Sequence, residues 1–140
     1  MKRPSRYLNQ RLILAAFLTG GAIVLAPAPG AAHHSFAVHY DPEKTQVIEG
    51  IAKSFRFTNP HGILLLDVTN DAGETETWTV ETTSPSAMRR RGWSEDMIKP
   101  GDSVRVDGYI ARDGSHLMRI RTVTAPDGTP LAQPIDAGDD

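Results

Sequence analysis

The sequence contains no cysteine among its 140 residues. A disulfide framework is therefore excluded, and a metal site would have to use histidine, methionine, carboxylate or backbone ligands. The main apolar stretch, Leu12 to Leu25, has about 14 residues, fewer than the roughly 20 that span a bilayer. The sequence also lacks a nucleophile motif and a phosphate-binding glycine loop, so no catalytic activity is predicted.

The first 32 residues have the order of a secretory signal peptide. Four basic residues precede the apolar stretch, and Gly30 and Ala32 fit the −3 and −1 positions of signal peptidase. We therefore predict cleavage after Ala32, which leaves 108 of the 140 residues with His33 first. The alternative is an uncleaved membrane anchor. The expected localisation is periplasmic or secreted, with no membrane span after cleavage.

The charge of the remaining chain is negative. Removal of residues 1–32 takes away four basic residues and no acidic one, so 11 Lys and Arg remain against 17 Asp and Glu, a net charge of −6. Nucleic-acid binding depends largely on neutralising phosphates with basic side chains. A nucleic-acid partner is therefore not expected.

Alternating apolar residues and turn residues predict a mainly β domain with one short helix. Ser84 is the expected N-cap, Pro85 the first helical residue and Gly92 the residue that closes the helix. The tail from residue 126 is rich in Pro, Gly and Asp and is expected to be flexible. The predicted strands cover residues 47–57, 63–69, 76–82, 103–112 and 117–123. The predicted organisation of the chain is a signal peptide 1–32, an N-terminal arm 33–44, a β domain 45–125 and a tail 126–140.

Three strands, a helix and a two-strand hairpin form the element order of the OB-fold. The expected fold is therefore a five-stranded OB-like antiparallel barrel, with the helix between the third and fourth strands. A plain antiparallel sandwich or meander has the same order, and order alone does not separate the two.

Histidine at a free N-terminus is a bidentate chelate. The amine and the ring Nδ1 of His33 can hold one ion, and a third nitrogen from another histidine would complete a histidine brace. Nitrogen ligands of this kind suit Cu(II), which also has the highest affinity among divalent first-row metals. The expected cofactor is therefore copper.

The third ligand is predicted to be His61. It lies in a tight loop after Asn59-Pro60, and Gly62 is expected to permit an unusual backbone angle there. His34 is a competing ligand through the terminal X-His mode, and His39 could return to the same ion. For His34, His39 and His61 a plain surface histidine is the alternative, and His116 is expected to be solvated.

Two tryptophans and two methionines are interpreted as packing residues rather than ligands: Trp78, Trp93, Met88 and Met118. Arg89, Arg90 and Arg91 point in directions about 100° apart on a helix, so they do not form one anion-binding patch.

Four short strings resemble a family of uncharacterised exported bacterial proteins. They are Ala-His-His-Ser-Phe-Ala at 32–37, Asn-Pro-His at 59–61, Arg-Arg-Gly-Trp at 90–93 and Lys-Pro-Gly-Asp at 99–102. The resemblance implies a signal peptide followed by one small β-rich domain, with His33, His34 and His61 in motif positions. It implies no established function.

The function predicted from these residues is periplasmic metal binding, as a copper chaperone or scavenger. Copper-dependent oxidation is not predicted, because no substrate groove is evident from the sequence. The alternative is a metal-free binding module of the OB type for an envelope glycan, small molecule or protein, or an accessory subunit for an envelope protein partner.

Overall fold

The computed structural model describes residues 36–136, so the predicted signal peptide, His33 and His34 lie outside the described residues. The described chain is mainly β, with one short helix between the third and fourth strands. The elements are β1 Tyr40–Arg56, β2 Ile63–Thr69, β3 Thr75–Glu81, α1 Pro85–Arg90, β4 Ser103–Ala111 and β5 Leu117–Thr124.

The strands form because apolar side chains alternate with polar ones along them. Leu64 and Leu66 on β2 and Val104 and Val106 on β4 are all buried, while their neighbours in sequence are more exposed. The first strand is longer than predicted and begins at Tyr40 rather than at residue 47. Its added part is mostly exposed and is defined by backbone pairing with β4, so no apolar alternation indicated it.

Each strand pairs with two others, and the sheet closes on itself in the order β1-β2-β3-β5-β4, because β4 pairs back to β1. One pair is parallel: Thr79, Val80 and Glu81 of β3 lie beside residues 117–119 of β5. The expected antiparallel pairing is therefore found in the other four strand pairs and is wrong for this one. Five strands that close in a ring cannot all alternate in direction, since an odd number leaves at least one parallel pair.

The core lies inside this closed sheet and under α1. The predicted packing residues all belong to it, since Met88 and Met118 are fully buried and Trp93 is 3% exposed. The buried cluster comprises Ile48, Ala52, Leu64, Leu66, Trp78, Val80, Met88, Trp93, Ile98, Val104, Val106, Met118, Ile120, Val123 and Ile135.

The helix has the predicted caps. The Ala87 N–H donates to Ser84 Oγ at 3.4 Å, Pro85 begins the helix, and Gly92 follows it with a φ of 81°. None of the helices in the described part of the chain has the length and apolar character of a membrane span.

The segment 125–136, predicted to be flexible, is held against the sheet. Ile135 is only 1% exposed, and its N–H donates to the Arg121 carbonyl at 2.8 Å. Trp93 Nε1 donates to the Gln133 carbonyl at 3.2 Å. The composition of the segment is typical of a loose tail, but the buried Ile135, the partly buried Leu131 and Ala132, and several backbone hydrogen bonds fix it.

Candidate functional site

His61 lies in the loop between β1 and β2, and this loop is packed tightly against the residues after β3. The Gly62 N–H donates to the Thr83 carbonyl at 3.2 Å, and the Thr82 N–H donates to the Gly62 carbonyl at 2.9 Å. A Cβ on Gly62 would lie 2.6 Å from Thr82 Oγ1 and 2.7 Å from Met88 Cε. The expected unusual backbone angle is absent, since Gly62 has no positive φ. Glycine is needed here because the two segments approach closely.

A cavity of about 310 Å³ opens beside His61. Its walls come from the segment before β1, from the His61 loop, and from the adjacent ends of β3 and β5. Most of its lining side chains carry ionisable or hydrogen-bonding groups. The lining residues are Phe36, His39, Tyr40, His61, Glu81, Leu117 and Arg119. His61 also borders a second, more open cavity of about 520 Å³ with Asn59, Pro60 and Ser84.

The His61 ring makes two close contacts through the same nitrogen. Its Nδ1 lies 3.0 Å from the Thr82 carbonyl oxygen and 2.9 Å from Arg119 Nη1. Glu81 Oε1 is 3.7 Å from the same Nδ1. These contacts orient the ring, and Thr82 and Arg119 are themselves buried.

Glu81 joins the other polar groups of the cavity. The Tyr40 hydroxyl donates to Glu81 Oε2, and Arg119 Nη1 lies 3.9 Å from Glu81 Oε1. Burial raises the pKa of the Tyr40 phenol well above its ordinary value, and the hydrogen bond to the Glu81 carboxylate raises this pKa further. Tyr40 therefore remains a neutral donor over the physiological pH range.

The chain before β1 is attached at the edge of this cavity. The Phe36 ring lies 5.4 Å from the Tyr40 ring and 5.2 Å, edge to face, from the Tyr109 ring. Arg112 holds the backbone, with Nε donating to the Ala37 carbonyl and N–H donating to the His39 carbonyl, each at 3.0 Å. The first described residues are thus directed to the same cavity as His61.

The structure brings two of the predicted ligand residues, His39 and His61, to one cavity. His33 and His34 lie outside the described residues. His116 does not line this cavity: its ring stacks on Trp78 with the ring centroids 5.0 Å apart, and its Nε2 lies 3.3 Å from Glu76 Oε2. Within residues 36–136 there is no group of three histidine or acidic side chains that could hold a metal ion.

Sequence reasoning missed Tyr40, Glu81 and Arg119. Glu81 and Arg119 face each other only because β3 and β5 pair in parallel, and this pairing joins strands that are distant in the sequence. The available signal was Arg119 itself, a basic residue inside the apolar run of β5. A charge in such a position is rarely fully buried unless it is paired.

The fold and the site define a small, mainly β protein with an ionisable cavity where its N-terminal segment meets the sheet. The chain belongs to a family of unknown function, DUF6152, whose model matches residues 22–119. All the residues that line the smaller cavity fall within this matched segment. No curated protein matches the chain.

Proposed function

We propose that this protein is exported and binds a metal ion, with Cu(II) as the preferred ion, and acts as a periplasmic or secreted copper chaperone or scavenger. The proposed ligands are the amine and ring of His33 and the ring of His61, with His34 and His39 as further candidates. The observation that carries the proposal is the shared cavity of His39, Phe36 and His61.

Chain length supports the participation of residue 33. Each residue of an extended chain spans at most about 3.6 Å, so three residues reach about 11 Å. Residue 33 is three positions before Phe36, which lines the cavity of His61. An amine at that position is therefore at most about 11 Å from Phe36, and this length supports its approach to the cavity that Phe36 and His61 both line.

The contacts of His61 also suit a ligand role. A metal-ligating histidine commonly donates its second ring N–H to a carbonyl or carboxylate, which orients the ring and makes the ligating nitrogen more basic. The Thr82 carbonyl, 3.0 Å from Nδ1, is an acceptor of this kind. Nε2 would then be the ligating atom.

Copper is preferred because the proposed ligands are neutral nitrogens. Imidazole and amine donors suit Cu(II), and a terminal amine with an ordinary pKa of about 7.7–8 loses its proton at low cost near neutral pH. Since the described residues contain no group of three candidate ligands, the proposal requires His33 or His34. The proposal includes no catalytic step.

The strand order and the position of α1 between β3 and β4 support an OB-type barrel as the finer description of the fold. Tyr40 and Arg56 are the opposite ends of β1, yet Tyr40 and His61 line the same cavity, so the strand must bend between its ends. The register shifts between Tyr40 and Thr45 and between Ala52 and Ser54 support such bending.

The test is a Cu(II) competition titration of protein purified natively from the periplasm, with intact mass and metal content measured on the same sample. The mass gives the first residue. We expect a mature form that begins at His33. Loss of a hydrogen-bond partner of a metal ligand weakens metal binding ~10–100-fold, and His61→Gln, which removes the ligand itself, should weaken Cu(II) binding by at least this factor.

Two controls make the result specific. His116→Gln removes an imidazole that pairs with Glu76 on another part of the sheet, and it should leave Cu(II) affinity unchanged. A form with methionine retained before His33 should lose tight binding. Equal Cu(II) affinity of this form and the native form would show that the terminal amine is not a ligand.

A metal-free accessory subunit for an envelope protein is the second candidate function. Val47 and Ile51 are 47% and 48% exposed and lie on one face of β1, which favours contact with a protein partner. The described residues contain no aromatic side chain among their exposed large hydrophobics, and this disfavours glycan stacking. Val47→Lys with Ile51→Lys should abolish a partner contact while leaving Cu(II) binding intact.

A further inference from the structure

Two groups of opposite kind contact one nitrogen of His61. The Arg119 guanidinium, with Nη1 2.9 Å from Nδ1, can only donate a hydrogen bond. The Thr82 carbonyl, 3.0 Å from Nδ1, can only accept one. In a neutral imidazole Nδ1 carries either a lone pair or a proton, so it satisfies one of these partners at a time.

The two contacts therefore correspond to two tautomers. When Nδ1 accepts from Arg119, the ring proton is on Nε2, and Nε2 has no lone pair for a metal ion. When Nδ1 donates to Thr82, the lone pair is on Nε2, and this nitrogen can ligate. The partner of Nδ1 thus decides whether His61 can serve as a ligand through Nε2.

Arg119 has a second acceptor close to His61. Its Nη1 lies 3.9 Å from Glu81 Oε1, and the pairing of β3 with β5 places Glu81 opposite Arg119. Arg119 is 3% exposed, so its charge must stay beside hydrogen-bond acceptors or an opposite charge. A shift of about 1 Å would bring Arg119 Nη1 within hydrogen-bonding distance of the Glu81 carboxylate.

We propose that Arg119 is a positioning residue that selects the tautomer of His61. In the metal-free protein, Arg119 donates to Nδ1 and keeps the proton on Nε2. When a divalent cation binds at Nε2, Arg119 moves toward Glu81 and Nδ1 donates to Thr82. The movement also takes a positive charge away from the imidazole that binds the cation. The cation part of this inference rests on the proposed function, whereas the tautomer part does not.

The tautomer can be measured directly by nitrogen-15 NMR of the metal-free full-length protein. The protonated and the unprotonated nitrogen of a neutral imidazole have distinct shifts, and the spectrum is recorded at about pH 8, where free histidine is neutral. We expect His61 to carry its proton on Nε2 in the wild type and on Nδ1 in Arg119→Met. A wild-type ring with its proton on Nδ1 would overturn the proposal.

The matched control is Arg121→Met. Arg121 lies on the same strand, and its Nη1 pairs with Asp107 Oδ2 at 3.2 Å, so the substitution removes a charged pair without touching His61. The His61 tautomer should be unchanged. A change as large as that in Arg119→Met would show that any lost charge on β5 alters the ring, and it would overturn the specific role of Arg119.

A second variant keeps the proposal testable if Arg119→Met does not fold, which far-UV circular dichroism would reveal. Glu81→Gln keeps the side-chain shape but removes the carboxylate to which Arg119 moves. We expect His61 to keep its proton on Nε2 in this variant, and Zn(II) to bind about tenfold more weakly than to the wild type. Folded Arg119→Met should bind Zn(II) about tenfold more tightly. Unchanged affinity in both would overturn the coupling.

Failure of this inference differs from failure of the proposed function. If no form binds Zn(II) or Cu(II) while the tautomer follows Arg119, metal binding is wrong and the tautomer selection stands. If metal binds and the wild type and Arg119→Met have the same tautomer, metal binding stands and the role of Arg119 is wrong.

Discussion

Two segments outside the regular strands are attached to the rest of the fold by similar bonds but with different packing. Arg112 Nε donates to the Ala37 carbonyl in the N-terminal segment, residues 36–39. Arg91 Nη1 donates to the Pro134 carbonyl in the C-terminal segment, residues 125–136. The main apolar anchor is Phe36 in the first segment and Ile135 in the second. The anchors differ in burial, and this difference separates the roles of the two segments.

Ile135 belongs to the hydrophobic core, whereas Phe36 is partly buried and contacts two tyrosine rings. The residues that follow Phe36 are exposed, and Val38 is 67% exposed. Local opening costs least where few apolar contacts would be lost. The C-terminal segment therefore stabilises the fold, and the N-terminal segment is the part that can open over the cavity at low cost.

The largest expected effect is on the C-terminal anchor. Ile135→Ala removes a fully buried side chain and should lower the free energy of unfolding by about 2–5 kcal/mol. Urea denaturation measures this change. Thr129→Ala in the same segment is the control, because Thr129 is exposed and its substitution should cost no more than about 0.5 kcal/mol. Equal, small effects of both variants would mean that the segment is not part of the core.

Phe36→Ala tests the N-terminal anchor. The variant loses two aromatic contacts, each worth about 0.5–1.5 kcal/mol, so the free energy of unfolding should fall by about 1–3 kcal/mol. Under the proposed function, Cu(II) affinity should fall by about tenfold, because the segment that carries His33 is no longer held at the cavity. Competition titration measures the affinity.

The control for this variant is Val38→Ala, which changes a side chain that is 67% exposed on the same segment. It should alter neither the stability nor the affinity. If Phe36→Ala and Val38→Ala have the same Cu(II) affinity as the wild type, then anchoring of this segment does not contribute to metal binding.

The same comparison explains how far the sequence could predict the structure. The four strands after residue 60 and the helix were predicted within one residue at nearly every end, because their apolar alternation, Ser84 cap and glycine turns are local signals. Both attached segments lack such signals. Their order comes from contacts with strands that are distant in the chain, such as Ile135 N–H to the Arg121 carbonyl and Phe36 to Tyr109.

The candidate site was predicted in part for the same reason. His61 could be selected because its loop contains Asn59, Pro60 and Gly62, and His39 because it is near the expected N-terminus. Glu81 and Arg119 could not, since only the parallel pairing of β3 and β5 makes them neighbours. The predicted ligands His33 and His34 lie outside the described residues and stay predictions, as does copper.

A smaller effect is expected where the C-terminal segment contacts Trp93. Trp93→Phe keeps an aromatic ring in the core but removes the Nε1 donor to the Gln133 carbonyl. The lost hydrogen bond should lower the free energy of unfolding by about 0.5–1.5 kcal/mol, with some further loss from the smaller ring. Hydrogen exchange should also quicken at Gln133 and Ile135, whose amides bond to the Arg91 and Arg121 carbonyls. Unchanged exchange at these amides would show that Trp93 does not hold the segment.

The smallest expected effect concerns Tyr40, where the N-terminal segment enters β1. Burial, and then the hydrogen bond to Glu81, raise the pKa of this phenol in the folded protein above its ordinary value near 10. A group whose pKa is raised by folding contributes its full stability below its unfolded pKa and loses this contribution as the pH rises toward the folded pKa. The free energy of unfolding should therefore decline above about pH 10, and Tyr40→Phe should make that decline shallower. Urea denaturation at a series of alkaline pH values measures both slopes. Equal slopes would mean that the Tyr40 proton is not held by burial and Glu81, and the cavity would then be more open to water than the C-terminal side of the core.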